Sequence, residues 1–92
     1  MTANEETLSN RVCVLEKIES RFTELVVTGK LVGWPPCDVR MAVQLSLQHK
    51  MLAIQAIERR ELIVAIANLD TVIYLISGFV EDCWNAEDLE LN

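Results

Sequence analysis

The chain has 92 residues, with 14 Asp and Glu against 8 Lys and Arg and a net charge of −6. That length holds one compact domain. The acidic balance argues against nucleic-acid binding, which is driven by clustered Lys and Arg. Apolar residues make up 51% of the chain, and a monomer of this size buries only about 60–65% of its unfolded surface. The surplus predicts a second copy, because an identical chain is the readiest cover for leftover apolar surface.

Leu62 to Val80 approaches the length of a membrane span, but Asn68, Asp70 and Ser77 interrupt it. Glu5 and Glu6 stand where a signal peptide would carry Lys or Arg. The three cysteines, Cys13, Cys37 and Cys83, are far apart and form no C-x-x-C. That usage predicts free thiols and a cytoplasmic protein. One histidine gives no support for a zinc site, and nothing in the chain calls for a cofactor.

The pattern predicts an all-α protein: an antiparallel bundle of two to three long helices in one domain over residues 1–92, assembled as a homodimer. The first helix is expected over about 5–28, with its start near Thr2 or Thr7. Thr2 and Glu5 have the spacing of a capping box, in which hydroxyl and carboxylate satisfy free N–H groups of the first turn. Leu8, Val12, Leu15, Ile18, Phe22 and Leu25 then form one amphipathic stripe. The β-branched run Val26-Val27-Thr28 before Gly29 marks the end.

Residues 29–37 read as a loop, holding two of the three glycines and both prolines. Trp34 precedes Pro35 and is pushed towards extended backbone. Asp38 is expected as a cap, or as a charge at the positive end of the next dipole. Helix 2, over about 38–58, carries one stripe at Val43, Leu47, Met51, Ile54 and Ile57 and a second at Ala42, Leu45, His49, Leu52 and Ala56. Arg40, Gln44, Gln48, Gln55 and Arg59 share its remaining face. The polar cluster Glu58-Arg59-Arg60-Glu61 suggests a tight turn, although one continuous helix of about 40 residues is the alternative.

Helix 3, over about 61–83, has the most regular stripe. Leu62, Ile66, Leu69, Ile73, Ile76 and Val80 follow 4-3-4-3-4 spacing, the seam of a coiled coil. Ala65, Val72, Leu75 and Phe79 lie beside it, so the helix is apolar on much of its girth. The six seam residues are the expected dimer interface. An acidic tail, 85–92, is expected to fray.

Candidates for chemistry are few. His49 lies at the edge of an apolar stripe and reads as a packing histidine. Cys37 lies where a helix dipole can lower a thiol pKa, but it reads as a stand-in for a Ser or Thr cap. Arg11, Lys17 and Arg21 are the best set for clamping carboxylates, as a small helical chorismate mutase would need. Two of them would have to point into the core, so a non-enzyme is expected. Trp34 either lids the core or helps to present a binding surface, where tryptophan is enriched.

Two blocks resemble a known family. Gly33-Trp34-Pro35-Pro36-Cys37-Asp38-Val39, followed by His49-Lys50, is similar to a motif of the TraM-type quorum-sensing antiactivators. So is Asn68 to Val80, with its Thr, its aliphatic run and its Gly-Phe. The order of the blocks agrees, and together they cover about a third of the chain. The connection between them is much shorter here, and the first helix is longer. The resemblance implies a small helical dimer that binds a LuxR-family transcriptional activator, such as LasR, and blocks its dimerisation or its engagement of DNA. On that reading the partner surface is expected at Trp34, Pro35, Arg40, Gln44 and Gln48. A secretion chaperone or an antitoxin is the other protein-binding alternative.

Overall fold

Thr2 opens the first helix: its Oγ1 accepts the Glu5 N–H at 3.1 Å. This satisfies one of the four N–H groups that a helix start leaves unpaired. In the computed structural model, which describes residues 2–31 and 33–91 and side chains as far as Glu81, α1 spans Ala3–Val27, α2 Pro36–Glu58 and α3 Leu62–Leu91. The described residues form three helices and no strand. Cys83, Trp84 and the acidic tail expected over 85–92 lie outside the described side chains.

Both inter-helix connections begin with the same hydrogen-bonded stop. At the end of α1, Lys30 N–H donates to Leu25 O and Gly29 N–H to Val26 O. At the end of α2, Glu61 N–H donates to Ala56 O and Arg60 N–H to Ile57 O. Each is a Schellman motif, which needs one residue in the left-handed region. Gly29 takes that place in the first, with φ +72°, and Arg60 in the second, with φ +62°. The chain after Asp38 is therefore two helices, broken at the charged cluster and not continuous.

The start of α2 differs from the expected cap. Pro35 is the N-cap residue and Pro36 the first helical residue, where its missing N–H costs nothing. Asp38 is not a cap but an acid of the first turn, close to the positive end of the dipole. Cys37, beside it, is an exposed free thiol.

α3 lies between α1 and α2 and packs on both, while the backbones of α1 and α2 stay apart. Contacts from Arg11 to Asp70 and from Phe22 to Phe79 show that α1 and α3 run in the same direction. α2 runs against both. With the backbones of α1 and α2 out of contact, α3 is the middle member of the three. The molecule is closer to a layer of three helices than to a closed bundle.

The core joins Leu15, Phe22 and Leu25 of α1 to Leu69, Val72, Ile76 and Val80 of α3. α2 contributes Ala42, Ser46, Ala53 and Ala56 as its buried residues. Those small side chains let α2 seat closely on α3. Its large ones, Met41, Leu47, Met51, Leu52 and Ile54, are left about half exposed.

This arrangement bears on the six residues expected at a dimer seam. Leu69, Ile76 and Val80 are buried within one chain, so they have no surface left for a second. Leu62, Ile66 and Ile73 are half-buried. By length and composition, Leu62–Glu81 could cross a membrane. Here it is the helix on which the other two pack.

Candidate protein-binding surface

The two outer helices of the layer leave a groove between them, with α3 as its floor. Val72 and Ile76 form the floor, and Phe22, Val26, Val43 and Leu47 line the walls. Its volume is 260 Å³. The groove exists because α1 and α2 each pack on α3 and not on each other. Lys50 Nζ meets Glu19 Oε2 at 2.8 Å and ties the two walls together at the end away from the α1–α2 loop. Val27, at the open end, is 79% exposed.

The loop end is held by three aromatic rings. Trp34 packs edge-on to Phe79 at 4.6 Å between centroids, and Phe79 packs edge-on to Phe22 at 5.7 Å. Such edge-to-face pairs stabilise by about 0.5–1.5 kcal/mol beyond the area they bury. Trp34 thus folds back as a lid on the core and is half-buried. Pro35, next to it, is exposed. A shallow apolar hollow lies on the same side, bordered by Leu31, Trp34, Pro36 and Val39.

Arg40, Gln44 and Gln48 are exposed on α2. They lie on one face of α2, and Arg40 also borders the hollow beside Trp34, whereas Gln44 and Gln48 do not. His49 is on the packed side. Its Nδ1 lies 2.9 Å from Asn68 Oδ1, and Asn68 Nδ2 donates to Val64 O at 2.9 Å. With the Asn68 amide so oriented, the His49 Nδ1–H is the donor. The sequence offered no sign of Asn68 as its partner, because their meeting depends on how α2 lies on α3.

The three bases weighed as a carboxylate clamp are dispersed. Arg11 Nε pairs with Asp70 Oδ1 at 2.6 Å, tying α1 to α3. Arg21 pairs with Glu24 one turn away at 3.1 Å, and Lys17 is exposed. Among the described residues no group of three or more His, Cys, Asp or Glu is placed to hold a metal ion. Ser46 Oγ is buried beside the groove floor without a hydrogen-bond partner among the described residues.

No family model, no curated protein and no solved structure matches this chain.

Proposed function

We propose that the protein is a non-catalytic binding module that acts as a quorum-sensing antiactivator. Its target on this reading is a LuxR-family transcriptional activator, such as LasR, in the cytoplasm. The observation that carries the binding role is the groove between α1 and α2, whose walls are apolar and whose mouth is open. An apolar cleft of this shape takes side chains from one face of an amphipathic helix. The choice of target rests on the two sequence blocks that resemble the TraM-type family.

The mechanism is competition by burial. An activator that must dimerise to bind DNA exposes its own apolar contact surface while monomeric. A protein that covers that surface draws activator out of the dimer by mass action. An interface of about 800 Å² on each partner is the usual size for a specific complex.

A bacterial reporter driven by a LuxR-family activator tests this directly. Co-expression of the protein should lower reporter output, and purified protein should lower the activator's occupancy of its DNA site in a mobility-shift assay. Val27→Lys places a charge at the groove mouth on an exposed residue and should restore both. Unchanged DNA occupancy with the wild-type chain would sink the choice of target. Full inhibition by Val27→Lys would remove the groove from the mechanism.

A further inference from the structure

α2 presents to solvent a second pattern that the core does not explain and that shares only Leu47 with the groove. Arg40, Gln44, Leu47, Met51, Ile54 and Glu58 recur at 4-3-4-3-4 spacing, and all six are exposed. They form one stripe on the side of α2 away from its buried small residues. Leu47, Met51 and Ile54, at its centre, are 56%, 61% and 55% exposed. This is the geometry of a helix-packing seam with no partner in the chain.

We infer that this stripe is a self-association surface, on which α2 of a second copy packs antiparallel about a two-fold axis. The argument is the order of charge along the stripe. A base stands at its N-terminal end and an acid at its C-terminal end. Reversed on itself, the stripe sets Arg40 opposite Glu58 of the second copy, and by symmetry Glu58 opposite the other Arg40. The same reversal sets Leu47 opposite Met51, and lays the stem of Gln44 along Ile54. A parallel pairing would set Arg40 against Arg40 and Glu58 against Glu58. Charge therefore selects the antiparallel arrangement, which is also the one that closes as an isologous dimer.

The inference does not depend on the antiactivator reading, because it concerns this chain alone.

Sedimentation velocity across a range of protein concentrations, with circular dichroism as the control for folding, tests it. The wild-type chain should sediment as a dimer at tens of micromolar. Met51→Glu puts two acids near the axis and should weaken the dimer by about a hundredfold. Arg40→Glu sets acid against acid at both ends and should weaken it roughly tenfold. The double variant Arg40→Glu/Glu58→Arg reverses both charges and should restore it. A wild-type monomer at these concentrations overturns the proposal. So does a dimer that survives Met51→Glu. A dimer lost in Arg40→Glu and not regained in the double variant overturns the antiparallel register. Loss of the dimer in Tyr74→Glu but not in Met51→Glu would transfer the interface to the exposed face of α3.

Discussion

Lys50 Nζ lies 2.8 Å from Glu19 Oε2, joining two helices whose backbones do not pack on each other. Both side chains keep about a third of their surface, 35% and 36%, so solvent screens the pair. A double-mutant cycle with Lys50→Ala and Glu19→Ala should give a coupling of about 0.2–1 kcal/mol. The coupling should shrink as salt is raised, since exposed charges are screened within about 10 Å at 0.1 M. A coupling that is absent at low salt would mean that the groove walls are held by α3 alone.

Arg60 adopts a φ of +62°, in a region that disfavours every residue with a Cβ. The left-handed conformation costs about 1–2 kcal/mol for such a residue, and glycine escapes that cost but loses more freedom on folding. Arg60→Gly should therefore stabilise the protein by about 0.5–1 kcal/mol, read as a rise of a few degrees in Tm. Gly29 holds the matching place after α1 at φ +72°, with open space where a Cβ would go. Gly29→Ala should lower stability by about 1 kcal/mol through backbone strain alone. Equal melts for all three chains would show that neither turn governs the stability of its helix end.

The contrast between those two turns shows what was readable in the sequence and what was not. Gly29 after a β-branched run announced a helix end, and Thr2 announced a helix start by its distance from Glu5. The second turn carried only charge, because a left-handed arginine has no distinctive residue type. The face of α2 was legible only in part: of the two stripes expected, the one holding Ala42, Leu45, His49 and Ala56 is the packed one. Apolar periodicity weighs large side chains most, yet α2 seats on α3 through Ala42, Ser46, Ala53 and Ala56. Close approach of two helices rewards small residues, and their weak hydropathy signal could not rank that stripe above the one holding Leu47, Met51 and Ile54. The α3 stripe reads as a dimer seam on a helix packed both on its own chain and on a second copy. Its spacing was right for a seam, but Leu69, Ile76 and Val80 are covered within the molecule. Periodicity marks a buried face without saying which chain buries it.

Trp34 sits 4.6 Å from Phe79, and the ring contact predicts a spectroscopic change. In a Trp84→Phe background, where Trp34 alone reports, Phe79→Ala should shift tryptophan emission to longer wavelength as the ring loses its cover. Phe79 is 7% exposed, and removal of a buried phenylalanine costs about 3–5 kcal/mol. The emission should therefore be read at low temperature, with circular dichroism confirming that helix is retained. Trp34→Ala should cost less, because the ring is half-buried. Emission unchanged in a folded Phe79→Ala chain would detach Trp34 from the core.

Adjacent residues on α2 give the sharpest test of how it faces. Ala53 is 1% exposed and Ile54 is 55% exposed. Ala53→Leu forces three extra carbons between α2 and α3 and should cost about 1–3 kcal/mol. Ile54→Ala removes a larger apolar group, but from the solvent side, and should change the monomer's stability by less than about 0.5 kcal/mol. Hydrophobicity alone predicts the reverse order. Ser46 adds a third point on the buried side, since its Oγ is enclosed without a partner among the described residues. Ser46→Ala removes an unpaired hydroxyl from a buried site and should raise stability by about 1 kcal/mol. These comparisons belong at low protein concentration, where self-association through Ile54 does not contribute. If Ile54→Ala proves the most damaging of the three there, α2 is rotated on α3. The outer stripe from Arg40 to Glu58 would then be a buried face and not a seam.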